Sequence, residues 1–163
     1  MSAVGFVQRL DVVEERLAGH AADAPRSSAL TSADPASGER WDAGQVWAHL
    51  AEFIPYWIAQ AQAVMASADE EPVAFGRTKT DPERVAAIAR DRSQPLTVLW
   101  SVVHSDIEQL RQFLKSIEPD RWRAHGLHPT MGSMDVDRIV DEFLVGHLEQ
   151  HADQLDELTH SGG

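Results

Sequence analysis

Three of the eight histidines in this 163-residue chain stand where imidazoles could share one ion. His147 and His151 lie four residues apart in DVDRIVDEFLVGHLEQHADQLDEL, from Asp135 to Leu158. On a helix that spacing stacks both rings on one face, about 6 Å of rise apart. The face is apolar. Ile139, Phe143, His147, His151 and Leu155 form one i+4 row, with Val140, Leu144, Leu148 and Leu158 beside it. His49 lies on a second apolar stripe, Val46, His49, Leu50, Phe53, Trp57, Ala61, Val64. If the two helices run antiparallel, His49, about 10 Å into the first, meets the pair near the end of the second. One imidazole from one helix and an i,i+4 pair from another make a three-histidine site with positions left open for water or substrate. The alternative is three separately hydrogen-bonded core histidines, which is the costlier arrangement when buried rings lack partners. Shared ligation at ~2 Å per bond needs ligand atoms within about 4 Å, so a His49 ring more than about 8 Å from the others would end this reading.

Composition narrows the chemistry. The absence of cysteine excludes disulfides, thiolate ligands and a cysteine nucleophile, leaving His, Asp and Glu as the strong ligands. A formal net charge of -12 argues against a nucleic-acid backbone or an anionic membrane as partner. No run approaches a membrane span and the first residues, MSAVGFVQRLDVVEERL, have no secretion-signal pattern, so the expected place is the cytoplasm. The length and 43% hydrophobic content suit a single domain over residues 1–163 with one core.

Four long helices must position the histidines. The first spans Val4 to about Gly19 on the row Phe6, Leu10, Val13, Leu17; His20 is then expected in solvent. A loop to Arg40 carries turn signals at Ala24-Pro25, Asp34-Pro35 and Ser37-Gly38. The second helix opens at Asp42, with Gln45 placed to complete a capping box, and runs to about Ala68. Pro55 inside it removes the amide that would bond the Ala51 carbonyl, and Gly146 is a second helix-interior irregularity beside a histidine. About 24 residues, Asp69 to Arg92, then form a crossover with a short helix after Asp81-Pro82, long enough to let the second and third helices run parallel. The third helix, Ser93 to Ile117, has the core row Leu96, Leu99, Val103, Ile107, Leu110, Leu114, Ile117. RWRAHGLHPTMGSM reads as a loop, and the fourth helix starts at Asp135 with Met134 and Ile139 placed as a hydrophobic staple. No period-two strand pattern is visible, so the class is all-α, a four-helix bundle.

Lesser candidates surround this set. His104 flanks the third core row and could support a ligand or move a proton, though a boundary histidine is the simpler reading. Glu52 and Tyr56 follow His49 by three and seven residues and could reach the mouth of a site, but a solvated or boundary position is the simpler account. His125 and His128 fall in the loop, with His128-Pro129 reading as a turn. The five tryptophans read as bulk for core and interface.

Two stretches resemble the DinB-like four-helix bundles, a superfamily that includes the metal-binding domain of mycothiol-dependent maleylpyruvate isomerases. RWDAGQVWAHLAEF is similar to that family's tryptophan, helix and His-Leu signature; LHPTMGSMDVDRIVDEFLVGHLEQHADQL is similar to its loop and closing helix. The resemblance implies an up-down-down-up bundle, a homodimer, and a divalent ion (zinc or nickel) on His49, His147 and His151. The isomerase branch carries Glu where this chain has His147, which directs the comparison to the all-histidine DinB and thiol S-transferase branches. It implies a low-molecular-weight thiol, of the mycothiol type, as co-substrate and an electrophilic small molecule as its acceptor. An all-imidazole ligand set adds no charge, so an ion there keeps its full charge to stabilise a thiolate or hydroxide. Three functions follow: a thiol transferase or metal-dependent hydrolase, a metal-carrying stress-response protein without turnover, and a structural dimer with a vestigial site. They separate on bound metal and on thiol-dependent loss of an electrophile.

Overall fold

The computed structural model describes residues 2–23 and 29–161 and, within them, four long helices. Helix α1 spans Ala3–Ala22, capped by Ser2, and buries Phe6, Leu10, Val13 and Leu17, the row read from the sequence. It passes Gly19 by three residues, so His20 is helical and partly covered, its Nε2 2.6 Å from Asp156 Oδ1 rather than in solvent. The Ala24-Pro25 turn lies outside the described residues.

Helix α2 spans Ala43–Ala66. Asp42 Oδ1 accepts from the Gln45 amide at 2.9 Å and Gln45 Oε1 accepts from the Asp42 amide at 3.0 Å, so both halves of the capping box are made. The helix continues through Pro55, which sits on the exposed side where water can take a freed carbonyl. The crossover carries strand β1 (Val73–Ala74) and helix α3 (Pro82–Asp91), the latter capped by Asp81 with proline in its first turn. Helix α4 covers Leu96–Ser116.

The segment read as a loop is instead a hairpin, β2 (His125–His128) and β3 (Gly132–Asp135), turning at Pro129 to Met131. β1 pairs with β2 in parallel, giving a three-stranded sheet. These strands are two to four residues long and poor in β-branched side chains, so no periodicity announced them. The closing rod then runs as α5 (Val136–Ile139), a π-helical segment Val140–Val145, and α6 (Gly146–Ser161).

Directions follow from which ends meet. Ala43 and Trp47 at the start of α2, Leu96 and Leu99 at the start of α4, Leu155 and Leu158 near the end of α6, and His20 near the end of α1 surround one cavity. So α1 and α6 point toward that end while α2 and α4 start there, an up-down-down-up bundle. Ion pairs agree, since Arg9 meets Asp141 and Arg16 meets Asp153 along α1 and the closing rod. A continuous core of Phe6, Leu50, Phe53, Ile54, Ile107, Leu110, Leu114 and Leu144 fills the bundle. Among the described residues, no helix is long and apolar enough to cross a membrane.

Candidate metal centre

The π segment decides where the closing histidines point. Its extra residue per turn breaks the i+4 row drawn from the sequence, so Val140, Leu144 and Val145 enter the core while Phe143 is only half-buried. Gly146 closes the wide turn by donating its amide to the Asp141 carbonyl. A Cβ at residue 146 would lie 2.0 Å from that oxygen, which is why glycine stands one residue before His147. On α2, the Asp42 cap fixes the helix start seven residues before His49.

The three imidazoles come together. Ring centres are 5.1 Å apart for His49 and His147, 4.8 Å for His49 and His151, and 4.6 Å for His147 and His151. His49 Nε2 lies 3.2 Å from His147 Nε2. Behind the rings, His49 Nδ1 is 2.8 Å from Glu52 Oε1, and His151 Nδ1 is 2.7 Å from Gln154 Oε1. Those oxygens accept the Nδ1 protons, so the Nε2 lone pairs of His49 and His151 face the common centre. Burial, then the neighbouring imidazoles, then Arg84 and Arg77, hold His49 well below the ordinary histidine range. Burial first, with His151 and the same two arginines, does likewise for His147; burial against the opposing Gln154 contact brings His151 down to about 4. All three rings are therefore neutral near pH 7, the form that ligates.

This donor set fits a divalent ion. Two nitrogens bound at ~2.05 Å in tetrahedral geometry stand about 3.3 Å apart, close to the 3.2 Å between His49 and His147. The whole set lies within 4.8 Å, so the loosest pair would close by up to about 1.5 Å on binding. His147 donating Nε2–H to His49 would pair those two nitrogens but leave His151 Nε2 and His147 Nδ1, both buried, without a partner. A cation at the centre would take the Nε2 lone pair of all three rings.

The triad forms one wall of a cavity of about 190 Å³, with Trp41, Trp57 and Phe143 as its aromatic surfaces and Gln150 and Gln154 on the α6 side. Trp41 is seated just before the cap: Thr31 and Trp41 exchange amide bonds, Thr31 N to the Trp41 carbonyl at 2.8 Å and Trp41 N to Thr31 Oγ1 at 3.0 Å. The opposite rim is the crossover, which contributes Arg77, Lys79 and Arg84. The small sheet delivers it. β1 pairs with β2, Phe75 N bonds the Leu127 carbonyl at 3.0 Å, and the Gly76 amide bonds Gln60 Oε1 at 2.7 Å. Gly76 turns there at φ 86°, where a Cβ would lie 2.6 Å from the His128 ring. Arg77 then reaches Glu52, with Nη2 2.8 Å from Oε2, and covers the Tyr56 ring at 4.0 Å.

Several side chains therefore take roles that spacing did not assign. Glu52 is half-buried, as a boundary position would be, but its side chain is 11% exposed and joins His49 to Arg77. Burial pushes its carboxyl up, while Arg77 holds it down. Trp41 and Trp57 are buried bulk, as read, and also walls of the cavity. His104 lies away from the centre, exposed and stacked on Trp100, with Nε2 3.1 Å from Glu14 Oε1. His125 is exposed. His128 is buried between Trp57, Phe75 and Phe143, and its Nδ1 accepts from the Met131 amide at 3.2 Å, closing the hairpin turn. The crossover cations were missed because charged residues among Pro72, Gly76 and Pro82 look like any solvated loop.

No family model matches the chain, and no curated protein does. Among solved structures it is similar to YfiT from Bacillus subtilis, described as a probable metal-dependent hydrolase with an unusual four-helix bundle topology. The superposition has a TM-score of 0.73 and 17% identity, covering 98% of this chain and 86% of that one. At that identity the likeness establishes the fold, and the up-down-down-up order derived above stands beside it.

Proposed function

We propose that this protein is a DinB-like metal-dependent enzyme, with His49, His147 and His151 as ligands, that joins a low-molecular-weight thiol to an electrophilic small molecule. One observation carries the metal reading: three neutral imidazoles, two buried and one half-buried, turn their Nε2 sides to a shared point at the wall of an open cavity. A divalent ion there supplies Lewis acidity, lowering the pKa of a coordinated thiol or water toward neutrality. The chain supplies the rest. Glu52 and Gln154 fix two ring tautomers and orientations from behind. Trp41, Trp57 and Phe143 exclude water from the flanks and give a reactant apolar surface to lie on. The thiol as nucleophile rests on the resemblance of the two quoted sequence stretches and on the all-imidazole set, which leaves an ion's charge undiminished for an anionic sulfur.

The second reading is hydrolysis, favoured by the description of YfiT and by the same open site, with water in place of the thiol. Elemental analysis of protein purified without a chelating tag, followed by turnover assays, separates these. Stoichiometric zinc or nickel, with thiol-dependent consumption of monochlorobimane in the presence of mycothiol or cysteine, supports the transferase. Metal with thiol-independent ester or amide cleavage supports the hydrolase. Metal without either reaction leaves a carrier, and absence of metal even after zinc or nickel is supplied removes the proposal.

A further inference from the structure

Three cations of the crossover line the cavity, but they are not equally occupied. Arg77 gives its guanidinium to Glu52, and Lys79 pairs with Asp34. Arg84 is different. It is buried, 7% exposed, at the third position of α3, where Pro82 and the Asp81 cap set the helix start and Asp81 Oδ1 holds the Arg84 amide at 3.0 Å. Its Nη1 donates to the Lys79 carbonyl at 2.6 Å. The nearest carboxylate oxygen, Glu39 Oε2, is 3.9 Å from Nη2, beyond hydrogen-bond reach. A guanidinium has five N–H donors, so most of this fork is unused inside a protein where burial of an underpaired charge is costly. Burial accordingly holds Arg84 below the ordinary arginine range, with Glu39 and Glu52 opposing.

The guanidinium also lies on the path to the imidazoles. It sits 5.4 Å from the centre of the Trp41 ring, and that ring lies 5.3 Å from His49 and 6.1 Å from His151. We propose that Arg84 is a substrate-anchoring residue that takes a carboxylate of the small molecule whose reacting atom lies at the three imidazoles. A planar fork with free parallel N–H groups matches a carboxylate bidentately, and the indole beneath keeps it flat. A singly charged group is favoured over a phosphate dianion because Asp34 and Glu39 also line the cavity. In a chain of net charge -12, this gives an anionic ligand a local attraction that the surface as a whole withholds.

This inference rests on the reading of the cavity as the reactant site, but its test does not need the metal. Calorimetric titrations would compare 4-mercaptobutyrate with its uncharged amide on zinc-loaded and on metal-free protein. The expected result is that the carboxylate binds at least about tenfold more tightly than the amide in both forms, as a charge-assisted bidentate pair implies. Arg84→Met should bring that ratio close to one with zinc content and amide affinity unchanged. Arg84→Lys, which keeps the charge and loses the fork, should retain an intermediate ratio and serves if the Met variant does not fold. A ratio near one in the parent, or a ratio undiminished in both variants, overturns the role of Arg84. Failure of zinc to bind or to tighten thiol binding, with the ratio intact, overturns the metal reading and leaves the carboxylate anchor standing.

Discussion

Along the seam of α2 with α6, His49 and His151 lie buried and His147 half-buried, with Glu52 and Gln154 bonded to His49 and His151 from behind. On the inner face of α4, Asp106 is also buried, 9% exposed, yet its Oδ2 has no partner among the described residues. Both places pay desolvation. Only the seam arranges that cost, with acceptors on the back of the rings and lone pairs bare toward a cavity, which is how ligand imidazoles are held. Asp106 has no such backing, and burial alone raises its pKa to about 6. Burial of a titratable group is thus a poor sign of function by itself, while one-sided satisfaction beside an open cavity is a good one.

The comparison breaks most directly at the three imidazoles. His49→Ala or His151→Ala should lower zinc affinity by more than the roughly 10–100-fold typical of losing an outer-shell partner, as measured by chelator competition. Wild-type zinc stoichiometry and affinity in both variants would show the seam to be an ordinary polar core. One step out, Glu52→Gln keeps an acceptor for His49 but gives up the charge and the Arg77 pair, so affinity should fall about tenfold or more with the triad intact. An unchanged affinity there would mean that the backing carboxylate does not tune the site.

How much of this was readable beforehand depended on the range of each interaction. The Asp42–Gln45 cap, the α1 row and the convergence of His49 with His147 and His151 are set by helix periodicity and by which ends of the bundle meet, and spacing carries both. The hairpin His125–Asp135 and its pairing with Val73–Ala74 were not readable, because short strands held by turns and cross-chain amide bonds leave no alternating pattern. Missing that sheet meant missing Arg77, which follows β1 directly, while Arg84 was hidden among the charges of the short helix after Asp81-Pro82. The π segment was half visible: Gly146 stood out as a helix-interior irregularity, but only the 2.0 Å approach to Asp141 explains it.

That approach gives the next prediction. Gly to Ala in a helix interior ordinarily stabilises by about 0.5–1 kcal/mol. Gly146→Ala should instead destabilise by up to about 3 kcal/mol, since the methyl meets a backbone oxygen that cannot yield without undoing the π turn. Denaturant unfolding gives the sign. Zinc affinity should fall as well, because relief of the clash rotates His147 and His151 about the helix axis. A stabilised variant with full affinity would show that the wide turn is incidental to the site.

The smallest effect tests the other half of the comparison. Asp106 has a folded pKa of about 6 against an ordinary carboxylate value of 3.8, so the folded state holds its proton over that interval and the unfolded state does not. Its contribution is fully present below about pH 4 and is lost as pH rises through 6. Asp106→Asn, neutral at every pH, should match the parent near pH 4 and exceed it by about 1–2 kcal/mol at pH 8. The difference between the two proteins is the quantity to measure, because the depressed histidines move both in the opposite direction: neutral in the fold and protonated when unfolded, they cost stability as pH falls from 6.5 toward 4. If the Asn variant loses ground to the parent as pH rises, Asp106 has an ionised-state partner, and α4 carries a second organised polar site rather than an uncompensated charge.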